Sequence, residues 1–252
     1  MNLEPSNIKL LAIETSTSIC SVSLSVNGKI ITREENTEKI HASAITVFID
    51  EVMKQTGINY SELDAIAVSK GPGSYTGLRI GVSTAKGLCY ALNKPLIGIS
   101  TLQAMASGFS ERIPSPLGEG AGGDGFFSSP LGRLGGLICP LLDARRMEVY
   151  SAFYDFNNTI FRKIQADIID ENSYSDLLQN QTVYFIGNGV IKCKSLLSKY
   201  KNAFFDESFL PSSKFIIPLA IKGYSQKQFE DVAYFEPYYL KDFVTTVSKN
   251  TI

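Results

Sequence analysis

The residues best suited to chemistry lie in one stretch, Ala65 to Gly87. An apolar run, Ala65 to Val68, is followed by the turn Gly71-Pro72-Gly73, and a helical pattern begins close to Ser74. A strand, a glycine turn and a helix start in this order often bind anions, because free backbone N–H groups and the helix dipole converge there. Thr76 stands where both common phosphate-binding motifs require glycine. The turn therefore resembles a nucleotide site without having the usual signature.

Metal and nucleophile chemistry are limited by the single histidine, His41. Metal sites need three or four ligands in fixed geometry, and one histidine with four dispersed cysteines does not supply them. The cysteines are Cys20, Cys89, Cys139 and Cys193. No G-x-S-x-G elbow occurs, so a Ser-His-Asp triad would have to recruit His41 from a helix. That helix places His41 beside Ile45 and Phe48, which favours a packed, hydrogen-bonded histidine over a catalytic one.

The first half of the chain reads as alternating strands and helices. A hairpin is predicted over residues 9–35, with a two-residue turn at Asn27-Gly28. Within it, Ser21, Ser23 and Ser25 alternate with apolar residues, which is the period of a half-buried strand. Helices are then predicted over 37–55 and 76–92, on either side of a strand over 65–69.

The second half of the chain resembles the first. LICPLLDARRMEVYSAFYDFNN repeats the layout of KLLAIETSTSICSVSLSVNG, and VYFIGNGV at 183–190 repeats the strand-to-glycine junction. A helix is expected over 191–200. The repetition indicates two like domains facing each other across a cleft; two ordinary hairpins in a generic α/β protein remain the alternative. The Gly- and Pro-rich segment 111–136 reads as a flexible insertion, and we assign it no chemistry.

Composition excludes several classes of protein. The chain has 252 residues, of which 44% are hydrophobic, a net charge of −1 and a pI near 5.9. It lacks the basic field that unaided nucleic-acid binding requires. Widely spaced cysteines without a CxxC pair suggest buried thiols in a reducing compartment. We find neither a leader pattern nor a membrane-length apolar run, so we expect a cytoplasmic protein.

Five segments together resemble the TsaB (YeaZ) family. They are IETSTS (13–18), SKGPGSYTGLRIG (69–81), GISTLQAMA (98–106), DARRMEVY (143–150) and EPYYLK (236–241). The resemblance implies an α/β fold of the actin/Hsp70/sugar-kinase-like (ASKHA) type, built from two ribonuclease-H-like domains. The first would span 1–104, rejoined by a C-terminal helix near 214–230, and the second 105–213 with the insertion.

The resemblance also implies a function. TsaB proteins are non-catalytic partner subunits in the synthesis of N6-threonylcarbamoyladenosine in tRNA. They bind a TsaD-type catalytic subunit, with a TsaE-type ATPase at the heterodimer, and form a homodimer when alone. ATP and metal are expected on those partners and no cofactor on this chain, with tRNA reached only through the complex and no membrane contact. The HxxxH metal pair of TsaD cannot exist with one histidine. The alternatives are an ATPase or small-molecule kinase of the same superfold, or a metallopeptidase-like protein.

A relic nucleotide or phosphate site is the first candidate site. Kinases and ATPases of this superfold keep acidic groups for magnesium where Glu14 and Asp143 open the two repeats. The alternative is a pair of hairpin-turn carboxylates that accept backbone hydrogen bonds. Arg145 and Arg146 could clamp a phosphate or simply occupy an exposed turn. The candidate residues are Glu14, Thr15, Ser16, Gly71, Gly73, Ser74 and Asp143.

A partner interface is the second candidate site. Both predicted helices carry a face of apolar or small residues that their core stripes do not need. Small residues let helices approach closely, and the family resemblance favours a partner over coverage by the chain itself. The interface residues are Ile40, Ala44 and Val47 on the first helix, and Ile80, Thr84, Gly87 and Ala91 on the second.

Overall fold

The computed structural model describes residues 7–36, 41–112 and 136–240, and its first half forms a five-stranded sheet. The strands lie in the order β3-β2-β1-β4-β5. The hairpin strands pair antiparallel, whereas β1, β4 and β5 run parallel to one another. Their bounds are Leu10–Glu14 (β1), Ile19–Val26 (β2), Lys29–Asn36 (β3), Ala65–Gly71 (β4) and Leu96–Ser100 (β5).

The second half forms a five-stranded sheet of the same topology, in the order β10-β9-β6-β7-β8. Again the first three strands pair antiparallel, and β9 joins the central strand in parallel. The predicted internal repeat is therefore confirmed, strand by strand. The bounds are Leu137–Asp143 (β6), Glu148–Tyr154 (β7), Ile160–Ile168 (β8), Val183–Ile186 (β9) and Ala203–Asp206 (β10).

Helices cover both faces of the first sheet. One face packs against α1 (His41–Thr56) and α2 (Tyr75–Leu92), and the other against α6 (Ile216–Ser225). The α2 helix has the predicted extent to within one residue, because Ser74 caps its start and Asn93, in the left-handed conformation, ends it. The predicted first turn of α1, from Thr37 to Ile40, lies outside the described residues.

The expectation that β2 is half buried is wrong. Its apolar face packs under α1, and its serine face is also buried, beneath a short 3-10 turn at Ser213–Phe215. The hydroxyl oxygens of Ser21 and Ser23 each lie 2.7 Å from that of Ser213. Because these hydroxyls hydrogen-bond one another, a polar face can be buried without the cost of unpaired groups.

The α3 helix (Thr101–Arg112) lies between the two sheets. Ala104 packs with the first sheet, whereas Met105 and Phe109 pack with β6 and β7 of the second. The domain boundary predicted between 104 and 105 therefore falls inside one helix. Residues 113–135 of the predicted insertion lie outside the described ranges.

Two further helices complete the second half: α4 (Ser175–Asn180) and α5 (Val190–Leu197). The α5 helix begins one residue before, and ends three before, the predicted 191–200. No helix within 7–36, 41–112 or 136–240 has the length and apolar character to cross a membrane.

Candidate functional site

The last residue of β1, before the turn to β2, is a fully buried acid, Glu14. Its Oε1 accepts hydrogen bonds from the backbone N–H of Ser16 at 2.6 Å and from the hydroxyl of Ser69 at 2.9 Å. Its Oε2 has no partner within the part of the chain that the structure describes. Burial raises the pKa of Glu14, and these hydrogen bonds offset only part of that effect. The site favours a protonated carboxyl over a magnesium-binding carboxylate.

The start of α2 lies directly against this turn. The backbone N–H of Ser74 donates to the carbonyl oxygen of Ser16 at 2.6 Å, and the Thr15 hydroxyl donates to the carbonyl oxygen of Gly77 at 2.8 Å. A Cβ placed on Gly77 would stand 2.0 Å from the carbonyl oxygen of Thr15. Glycine allows this approach. Protein backbone therefore occupies the space between the turn after β1 and the N-terminus of α2, where a phosphate would have to bind. This space is here called the closed corner.

Six of the seven candidate residues of the phosphate site meet at this corner. A Cβ on Gly73 would lie 2.5 Å from the carbonyl oxygen of Ser16, and Gly71 turns the chain there with a backbone φ of +105°. Ser74 is the N-terminal cap of α2, and its side chain accepts a hydrogen bond from the backbone N–H of Gly77. The six residues predicted together thus lie together in the structure. Their own backbone atoms leave no space among them for a phosphate.

The seventh candidate, Asp143, lies in the hairpin turn of the other sheet. Its Oδ1 accepts from the N–H of Arg145 at 2.7 Å and from Lys192 Nζ at 2.5 Å. Lys192 also donates to the carbonyl oxygens of Arg146 and Glu148. Asp143 is thus a turn carboxylate, and Arg145 and Arg146 are exposed. Lys192 is 49 residues away from Asp143 in sequence. No local sequence pattern therefore predicts that Lys192 stabilises this turn.

The candidate interface lies on the outer sides of α1 and α2. Val47 is 53% exposed, and Gly87 and Ala91 are exposed. A Cβ on Gly87 would meet nothing within 4 Å in the described part of the chain. Ala44, Ile80 and Thr84 are half buried, where Ala44 and Ile80 pack on the core between the helices. Ile40 lies outside the described residues, as does the side chain of His41. Tyr90, which is 86% exposed, is absent from the predicted interface, because the spacing of aliphatic and small residues does not mark an exposed aromatic ring.

A crevice of about 770 Å³ lies elsewhere, between β5, α3, α6 and the β7–β8 turn. Ser107, Gln103 and Lys222 are among its lining residues, and none of the predicted phosphate-site residues lines it.

All four cysteines are buried and unpaired, and burial raises their pKa values. Within the described ranges, no group of three or more His, Cys, Asp and Glu side chains is placed to hold a metal ion.

Comparison with known proteins places this architecture. The chain is 30% identical to the tRNA threonylcarbamoyladenosine biosynthesis protein TsaB of Haemophilus influenzae, over 95% of this chain and 96% of that protein. The chain belongs to the TsaB (YeaZ) family. The TsaB protein of Escherichia coli K12 is 27% identical over 94% of this chain and 96% of its own length. The family resemblance seen in the sequence is thereby confirmed.

Two other findings bear on the TsaB fold. The family model for TsaD, tRNA N6-adenosine threonylcarbamoyltransferase, matches residues 30–117, which contain α1, α2, α3, β4, β5 and all but the first residue of β3. The solved structure of YeaZ from Pseudomonas aeruginosa superposes with a TM-score of 0.74 over 92% of this chain and all of that one, at 24% identity. Together with the duplicated sheets, these likenesses confirm the actin-like (ASKHA) α/β fold.

Proposed function

We propose that this TsaB-family chain is a non-catalytic subunit of the machinery that makes N6-threonylcarbamoyladenosine in tRNA. Its partner is a TsaD-type catalytic subunit, and a TsaE-type ATPase joins at the heterodimer. The names of the relatives, which match over nearly the whole chain, support the pathway. The chain reaches tRNA through this complex and acts in the cytoplasm.

The observation that carries the non-catalytic role is the closed corner at Glu14. Catalysis by phosphate or metal chemistry needs an accessible acid with room beside it. Here the acid is buried and its pKa is raised, and the N-terminus of α2 contacts the turn through backbone atoms. We infer that ATP and metal bind to the partner subunits, with no cofactor on this chain.

The surface that best supports a partner is the outer side of α1 and α2. A stripe with a glycine and an alanine exposed in a regular helix allows another helix to approach closely. Glycine within a helix is unfavourable by about 1 kcal/mol relative to alanine, so packing against a partner would explain its presence. Among the residues that the structure describes, none outside the helix lies within 4 Å of the position of a Cβ on Gly87.

The direct test mixes the purified chain with the TsaD-type protein encoded in the same genome. We expect a stable complex by light scattering after size exclusion, and threonylcarbamoylation of tRNA only when both chains and the TsaE-type ATPase are present. Gly87→Glu should weaken the complex without lowering the melting temperature of the free chain, because glutamate is a better helix former than glycine. Ser195→Glu, exposed on α5 in the other half, is the matched control and should bind like wild type.

A second measurement separates the subunit from an enzyme of the same superfold. Calorimetric titration of the isolated chain with magnesium and ATP should show no tight binding, and metal analysis of the untagged protein no stoichiometric zinc or iron. Tight binding of magnesium–ATP, or one firmly held metal ion per chain, would contradict the proposal.

A further inference from the structure

Residues 228–240, here called the strap, run antiparallel beside α2. The strap is fixed at one end by the backbone bond from the N–H of Glu230 to the carbonyl oxygen of Leu96, at 2.9 Å. At the other end, the N–H of Tyr238 donates to the carbonyl oxygen of Lys70 at 2.7 Å. The strap thus spans from the start of β5 to the end of β4.

The middle of the strap is fixed to α2 itself. Lys86 Nζ donates to the carbonyl oxygens of Ala233, at 3.1 Å, and Phe235, at 2.9 Å. The Phe235 ring is buried in the core of the first sheet, and Asp231 accepts from the N–H of Ala233 at 2.8 Å. The backbone of the strap is therefore held in one conformation, and its outward side chains start from fixed positions.

The strap and α2 together carry five tyrosines, here called the tyrosine ridge. The rings of Tyr75 and Tyr239 lie 4.8 Å apart, and the guanidinium of Arg79 lies 5.5 Å from the Tyr75 ring centroid. Tyr90 and Tyr234 are 86% and 85% exposed. The ridge consists of Tyr75, Tyr90, Tyr234, Tyr238 and Tyr239.

The tyrosine ridge borders the candidate helix interface. Positions 75, 79, 86 and 90 follow one side of α2 at helical spacing, and Gly87 and Ala91 lie one residue further round. From Tyr75 to Tyr90 the helix rises about 22 Å. The outer side of α2 therefore has α1 on one flank and the tyrosines of the strap on the other.

We propose that the tyrosine ridge is the second half of the surface that binds the TsaD-type partner, so that the interface consists of α1, α2 and the strap. This rests on the proposed function. Tyrosine supplies a large contact area at low entropic cost and is enriched among the residues that dominate binding energy. The ridge is continuous with the helix interface, and the rigid strap lowers the cost of ordering it.

The charges around the ridge favour a protein over a nucleic acid. Arg79 and Lys86 on α2 are balanced by Asp231 and Glu236 on the strap, and the third acid of the strap, Glu230, pairs with Lys70 at 3.3 Å. A surface for the phosphate backbone of RNA would need an excess of cations. A near-neutral surface rich in tyrosine is typical of a protein–protein contact.

The test compares Tyr90→Ser/Tyr234→Ser with wild type for binding to the TsaD-type partner by calorimetry. Neither side chain belongs to the core, so the melting temperature should not change, and we expect the Kd to rise about tenfold or more. Ile168→Ser, at a residue 77% exposed on β8, is the matched control and should leave the Kd unchanged. Tyr75→Phe, which keeps the ring, should also bind like wild type.

The failures are distinguishable. If wild type does not bind the partner, the proposed function fails; if wild type binds and the double variant has the same Kd, only the ridge assignment is overturned. Loss of self-association without any change in partner binding would assign the ridge to a second copy and overturn the proposal. Weakened binding of isolated tRNA by the double variant, with unchanged partner binding, would assign the ridge to RNA.

Discussion

Gly71 and Gly187 have the same backbone φ, +105°, at equivalent points of the two sheets. Gly71 is the last residue of β4, and Gly187 directly follows β9; each of these strands lies beside the central strand of its sheet. Two residues later a second glycine, Gly73 or Gly189, approaches the backbone of the central strand or its turn. The duplicated sheets thus share one design of strand-to-helix turn, although only the turn of the first sheet buries a carboxyl group.

Alanine at either shared glycine should destabilise the protein. At Gly187 the new Cβ would stand 2.5 Å from the carbonyl oxygen of Leu141, and at Gly71 it would stand 2.9 Å from that of Tyr238. Steric strain and a positive φ together should lower the free energy of unfolding by about 2–4 kcal/mol. Urea unfolding measures it. Gly57→Ala is the control, because Gly57 has a φ of +71° with nothing within 4 Å, and it should cost only about 1 kcal/mol.

Two glycines of α2 should respond in opposite directions to alanine. Gly77→Ala forces the helix away from the Thr15 carbonyl. This change should lower the free energy of unfolding by about 3 kcal/mol or more, because the backbone on both sides cannot move without breaking hydrogen bonds. Gly87→Ala adds a methyl group in open space and should stabilise the free chain by about 0.5–1 kcal/mol. Thermal and urea unfolding of both variants check the pair. A Gly77→Ala variant as stable as wild type would contradict the close contact between α2 and the Thr15 carbonyl.

The buried Glu14 should make stability depend on pH. Its folded-state pKa is raised above the ordinary value of 4.5, so the folded chain holds this proton more strongly than the unfolded chain. Its contribution is therefore greatest below pH 4.5 and is lost as the pH rises through the raised pKa. Glu14→Gln should flatten the profile of unfolding free energy above that pH. Glu171→Gln, with its side chain 72% exposed, should follow wild type.

Asp167 should show the opposite behaviour. Burial opposes its ionisation, but hydrogen bonds from Arg162, Ser151 and Tyr174 lower its pKa on balance, so its contribution is lost as the pH falls through the lowered pKa. Both Asp167 oxygens lie 2.7 Å from Arg162 nitrogens. Asp167→Ala should cost about 3 kcal/mol, because it leaves Arg162 partly buried without its counter-ion.

A double-mutant cycle checks the Asp167 prediction. Arg162→Ala/Asp167→Ala should be less destabilised than the sum of the two single variants, because removing both partners leaves no unpaired charge. Additive losses, measured by urea unfolding at neutral pH, would count against the ion pair as the cause.

The sequence predicted those parts of the fold that local patterns determine. Asn27-Gly28 gave the hairpin, and Ser74 with Asn93 gave the limits of α2, since caps and turns act within a few residues. The burial of Ser21 and Ser23 depends on Ser213, which lies some 190 residues away. Lys192 and the strap are likewise placed by long-range packing. The periodicity of one segment does not predict which distant segment of the chain will pack against it.

The coverage of the first sheet by α6 and the strap has a consequence for biosynthesis. These elements, with the 3-10 turn at Ser213–Phe215, come from the last described part of the chain, beyond the whole second sheet. Yet α6 covers β1 and β4, and the turn covers the serine face of β2. During translation, the face of the first sheet that α6 covers stays exposed until the second half of the chain has been synthesised. Nascent chains that stop early would carry an exposed apolar sheet, the kind of surface that chaperones bind. Late translation, and not the early appearance of a complete sheet, therefore decides when this protein becomes safe from aggregation.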